Sequence, residues 1–232
     1  MRVLLTAALL PAVLLMIYIF TRDRIEKEPV GLLAKLALFG AVSCIPAAIF
    51  ESALLVLLQT VIAHGPVFTL IEAFLVVALT EEFFKLVFLK LATWKNSAFD
   101  YHFDGIVYAV FVSLGFAALE NILYLTGYGL GIALSRGVFA VPGHMTFSVF
   151  MGLFYSEAKQ SEILRKPLKK FGKMLSALFV PVVLHGIYDY LLMSGITELA
   201  LVFLFFVVCL DLYAVMLIRR CSMSDSPFER PW

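Results

Sequence analysis

Apolar stretches long enough to cross a bilayer recur along this chain, and that recurrence limits its possible folds more than anything else in it. A span takes about 20 mostly apolar residues in helical form, because hydrocarbon offers a backbone amide no partner except the next turn. Runs of this kind start at Val3, Val30, Pro66, Asp104, Ile132, Met174 and Ile196. They are continuous rather than alternating, which argues against a transmembrane barrel. With 62% apolar residues and a mean hydropathy of +0.97, the chain does not resemble an ordinary soluble domain. The expected fold class is an all-α polytopic membrane helix bundle with seven transmembrane helices. It becomes eight if the long run Val30 to Ile62 divides at Gly40, Pro46 or Glu51, with a kink expected near Pro46. Residues 1–232 read as one integral membrane domain.

Punctuation between the runs sets the expected boundaries. His64-Gly65-Pro66 marks a turn, with Pro66 at a first helical position. The third helix then extends to about Leu91, and Trp94 to Phe103 forms a polar loop. Asp104 is placed to cap a fourth helix that ends near Tyr124, followed by a loose turn at Gly127, Gly129 and Gly131. A fifth helix spans about Ile132 to Tyr155, with Pro142-Gly143-His144 in its middle. Ser156 to Lys173 reads as the most polar loop, and the last two helices run from Met174 to Met193 and from Ile196 to Ile218.

Charge gives the orientation. Placing the N-terminus outside and the C-terminus in the cytoplasm puts every Lys and Arg except Arg2 and Arg136 on or near the cytoplasmic side. The first run carries Arg22, Arg24 and Lys27 after it, the reverse of a cleavable signal, so it reads as a retained helix of a multi-pass cell-membrane protein. The net charge of +1 and the lack of a basic stripe give no sign of nucleic acid as a partner. Cys44, Cys209 and Cys221 have no metal or disulfide spacing.

Against this background, ionisable residues inside the runs stand out. Each costs roughly 2.5–3.5 kcal/mol on insertion scales, so it usually has a partner and a task. Thr80-Glu81-Glu82-Phe83-Phe84-Lys85 places two carboxylates and a lysine in the third run, with Glu81 and Lys85 one helical turn apart. Glu120-Asn121 follows in the fourth, His144 in the fifth, and His185 with Asp189 on one face of the sixth. Counted along their helices, Glu81, Glu120, His144, His185 and Asp189 reach overlapping depths. Scattered packing residues have no reason to agree in depth. Glu51 and Glu72 are single groups without a motif, Asp211 reads as a structural partner, and Arg136 as a side chain snorkelling from a helix end.

Taken in order, Glu81-Glu82-x-x-Lys85, Phe116-x-x-x-Glu120-Asn121, His144 and His185-x-x-x-Asp189 resemble the PrsW family of membrane proteases across about residues 66 to 195. More distantly they resemble the type II CAAX prenyl endopeptidases and abortive-infection membrane proteases. The resemblance implies a glutamate-type intramembrane endopeptidase whose substrate is a membrane-anchored protein, such as an anti-sigma factor. It implies Glu81 as the base, with Glu82 and Lys85 in support, and His185 beside the oxyanion. The second motif ends in Glu120 rather than histidine, which leaves His144 as the candidate partner of the water. The last ends in Asp189 rather than asparagine, and an ionised carboxylate cannot donate a hydrogen bond.

The same residue types permit other readings. No cofactor is required by the glutamate mechanism, but His144, His185 and a carboxylate are also a zinc donor set, although no HExxH is present. A proton-coupled transporter uses buried Glu, Asp and His relays too, and the absence of an inverted repeat counts against it. A non-catalytic membrane sensor would not need its polar groups at one depth.

Overall fold

The computed structural model describes residues 2–229, so Met1 and residues 230–232 of the single-domain reading lie outside it. Regular structure among the described residues is helical, apart from one isolated bridge between Tyr101 and Pro227. The helices are α1 Arg2–Arg22, α2 Val30–Val61, α3 over 66–93, α4 Asp104–Tyr128, α5 Leu130–Val138, α6 Ala140–Ile163, α7 Pro167–Met193 and α8 Leu199–Met223. Among the described residues, six stretches are long and apolar enough to cross a membrane, with α5 and α6 counted as one. The exception is α3, whose Glu72, Glu81, Glu82, Lys85 and Lys90 make it the most charged of the long helices.

At the centre stands α4, buried without interruption from Asp104 to Ala117. It packs against α1, α2 and α6. Membrane helices gain little from hydrophobic exclusion, so close backbone approach matters most, and small residues permit it. A Cβ on Gly115 would run into the Ala37 backbone of α2, and one on Gly40 into the Val112 carbonyl. On the other flank, Gly105 and Gly152 hold α4 against α6, where a Cβ on Gly152 would strike the Gly105 carbonyl and the Ile106 Cα.

Four boundaries differ from the sequence reading. The run Val30–Val61 stays one helix through Pro46, so the eighth helix arises elsewhere. It arises where one helix was expected from Ile132 to Tyr155: the chain breaks at Phe139, between α5 and α6. Pro142 explains the break, since its ring would clash with the carbonyl of residue 138 in a continuous helix and is tolerated in the first turn of a new one. Ser156–Lys173 is not a loop. Its Lys, Arg, Glu and Gln are good helix formers, so α6 continues to Ile163 and α7 begins at Pro167. Lys170–Glu162 (2.7 Å) and Lys173–Glu157 (2.5 Å) then bridge the two arms of a tight hairpin. Asp104, expected to cap α4, instead accepts from the amides of Asp100 (3.1 Å) and Tyr101 (2.7 Å) and folds the loop before the helix.

That loop belongs to a second polar cluster, at the charged end of the bundle. The Tyr108 hydroxyl lies 2.5 Å from Glu28 Oε2 and 2.9 Å from the Ala98 carbonyl. The hydroxyl donates to Glu28, with the Ala98 carbonyl as a second acceptor for the same proton. Burial pushes the Glu28 carboxyl up to about 7, against the opposing hydrogen bond donated by Tyr108. A carboxyl raised in the folded state stabilises most below its unfolded value and loses that contribution as pH rises through its folded one. Stability is therefore expected to fall by about 2–3 kcal/mol between roughly pH 4.5 and 7. Thermal unfolding of Glu28→Gln across that range should flatten the decline; an equal slope in wild type and variant would show that Glu28 is not its source.

Candidate active site

Seven of the eight residues picked out from the sequence converge between α3, α4, α6 and α7. Lys85 Nζ, fully buried, donates to Glu81 Oε2 (2.9 Å) and Glu82 Oε1 (2.8 Å), and lies 3.0 Å from His144 Nδ1. It also sits 4.3 Å above the Phe116 ring, so its charge meets an acceptor or a π face on every side. Glu82 Oε1 is shared with His185 Nδ1 at 3.0 Å. The other ring nitrogen of His185 is 3.3 Å from Asp189 Oδ2, an ion-pair distance without the alignment of a hydrogen bond. Phe147 stacks on the His185 imidazole at 4.8 Å and fixes its plane.

Local structure puts these groups in register. The stretch Glu72–Ala78 of α3 is a π-helix, a wider turn that shifts the phase of everything after it. It carries Phe74 against Gly186, where a Cβ would collide with the ring. Glycine beside His185 thus lets α7 lie close to α3, and the imidazole reaches Glu82.

Asn121 does not join the site. It is one residue from Glu120 and so turned about 100° around α4. Its Nδ2 donates to the Ala8 carbonyl (2.8 Å) and fastens α1.

Arg136, read as a snorkelling side chain, is in fact part of the cluster. The break at Phe139 aims α5 inward, so Arg136 Nη2 meets Glu120 Oε2 at 2.6 Å while its guanidinium lies 3.8 Å over the Tyr124 ring. Glu120 Oε2 is also 3.0 Å from His144 Nε2. A carboxylate paired with arginine only accepts, so His144 carries its proton on Nε2 and presents the Nδ1 lone pair to Lys85. The available sequence signal was Pro142, which forbids one continuous helix through residue 138 and so turns the Arg136 segment. Arg136→Gln should free Glu120 and lower both stability and cleavage, by about 3–5 kcal/mol for the buried pair. The check is thermal unfolding alongside activity; wild-type values for both would refute the assignment.

Glu81, Glu120, Arg136, His144, His185 and Asp189 all line one cavity of about 510 Å³. Tyr124, Leu192 and Met193 form part of its wall, so it opens toward the end of the bundle away from the α6–α7 hairpin. Its apolar lining includes Phe139, Phe147, Tyr188 and Phe203, while Glu82 stays behind the wall. Of the two glutamates set aside in the sequence, Glu72 lines this cavity and Glu51 does not. Asp211 is structural, accepting from Thr146 Oγ1 at 2.6 Å.

A divalent ion can be tested against this geometry. Glu81, His144 and His185 each offer one ligand atom, all within 4.8 Å of one another. Two imidazoles and a carboxylate suit zinc, and the Glu120 carboxylate behind His144 is the kind of outer partner that orients metal-binding histidines. The donor set fits.

Comparison with known proteins agrees with the geometry. A profile described as "PrsW family intramembrane metalloprotease" matches residues 28–216. The curated Protease PrsW of Oceanobacillus iheyensis is 35% identical over 219 residues, 94% of this chain and 96% of that one. That of Geobacillus kaustophilus is 38% identical over 192 residues, 82% and 80% of the two chains, and that of Bacillus subtilis 34% over 190, 82% of each. No solved structure matches the chain.

Proposed function

Since the chain belongs to the PrsW family of intramembrane proteases, we propose that it cuts a membrane-anchored protein by hydrolysis at the Glu81–His144–His185 cluster. The observation that carries this reading is the placement of those three side chains, from three helices, on the wall of one cavity. Glu81 faces the cavity and takes the proton from an attacking water. Lys85 holds one oxygen of its carboxylate, and Glu82, behind the wall, anchors Lys85 and His185 together. His185 stands on the oxyanion side, and Asp189 and Glu82 hold its ring between them. His144, fixed by Glu120 and Arg136, faces the same space.

A second reading has the support of the donor set. Glu81, His144 and His185 would hold a divalent ion, which when bound would polarise the water and the scissile carbonyl.

For orientation, the α6–α7 hairpin with its lysines and arginines is assigned to the cytoplasm. The cavity then opens to the outer half of the membrane, and the substrate is cut near the outer surface. The test is cleavage of single-span substrates by the purified protein in lipid, wild type against Glu81→Gln, with and without a strong chelator. Cleavage that persists in Glu81→Gln removes Glu81 from the chemistry. Cleavage lost to chelator and restored by Zn²⁺ selects the second reading.

A further inference from the structure

The position of Lys85 bears on how any ion could enter. His144 has one in-plane lone pair free, on Nδ1, because Nε2 donates its proton to the arginine-paired Glu120. That lone pair already accepts from Lys85 Nζ at 3.0 Å, and the same ammonium holds Glu81 Oε2 at 2.9 Å. These two atoms, 3.9 Å apart, belong to two of the three residues that offer ligands to an ion. A single lone pair cannot serve an N–H and a metal at once, and an ammonium between two ligands repels a dication.

We propose that Lys85 is the resident cation of the metal-free site, and that a divalent ion and the Lys85 ammonium are alternative occupants of His144 Nδ1 and Glu81. Binding of the ion requires Lys85 to swing away. Glu82 and the Phe116 face retain it there, since Glu82 lies behind the cavity wall and is not among the ligands. Lys85 is thus a positioning residue that sets how tightly an ion is held and, with no ion bound, offsets the repulsion between the Glu81 and Glu82 carboxylates. This inference rests on the second reading of the site.

The test is Co²⁺ and Zn²⁺ titration of the full-length protein in detergent, followed by the Co²⁺ absorption spectrum and by equilibrium dialysis. Lys85→Met removes the competitor and should tighten binding by about 10- to 100-fold, the scale of one charge-assisted hydrogen bond. If the buried carboxylates left behind prevent folding, Lys85→Met combined with Glu82→Gln removes the unpaired charge without touching a ligand. His144→Ala in the same background should abolish the Co²⁺ spectrum. Unchanged or weaker affinity in the Lys85 variants, or no binding by any form, overturns the proposal. Chelator-resistant cleavage by wild type reports separately on the peptidase reading, which survives that outcome.

Discussion

Glu81→Gln is expected to reduce cleavage of a membrane-anchored substrate by about 10²–10⁴-fold, the usual contribution of a positioned general base. Shape is preserved, the amide oxygen still accepts from Lys85, and Glu82 keeps that lysine paired, so the protein should still insert and fold, with a melting temperature lowered by the lost Glu81 ion pair. The contrast with Glu82→Gln separates base from support. Glu82 lies outside the cavity and holds both Lys85 and His185, so its loss should lower stability together with rate. The measurement is single-turnover cleavage beside a thermal melt. Equal rates for wild type and Glu81→Gln would move the base elsewhere in the cluster.

The second large effect concerns the fold. Gly152→Val should prevent assembly, because its Cβ would meet the Gly105 carbonyl and the Ile106 Cα, and backbone cannot step aside as a side chain can. Ordinary overpacking costs about 1–3 kcal/mol, and forcing two buried membrane helices apart exceeds it. Gly115→Val should behave alike at the α2–α4 crossing, against the Ala37 backbone. Gly172→Ala is the control, since a Cβ there meets nothing within 4 Å. Size-exclusion profiles in detergent distinguish the cases; a monodisperse Gly152→Val with the wild-type melting temperature would contradict the packing described.

Much of the candidate site was legible in the sequence for one physical reason. Charges inside apolar runs are costly, so Glu81, Lys85, Glu120, His144 and His185 announced themselves by position alone. Their convergence followed from depth counting along helices. Arg136 sits at a helix end, where snorkelling is the cheaper reading, and only the break at Phe139 turns it inward. Asn121 was grouped with Glu120 by adjacency, although adjacent residues on a helix face different neighbours, and here the neighbour is α1. The hairpin between α6 and α7 was misread because its polar residues suit both a loop and a helix that projects from the bilayer. The close α2–α4 and α4–α6 crossings depend on tertiary contacts at single glycines, which no run of hydropathy reveals.

The π-helical turn at Glu72–Ala78 makes this enzyme sensitive to length as well as to identity. A side chain exchanged in that turn alters local packing. A codon lost from it removes the residue that the wider turn absorbs, so the helix closes to ordinary α geometry and Glu81 and Glu82 keep their facing, whereas a codon lost or gained between Ala78 and Glu81 has no such slack and turns the pair by about 100°. One residue can therefore leave the chain within the π turn without moving the two carboxylates, but not between that turn and Glu81, and Phe74 is held to its size by its contact with Gly186.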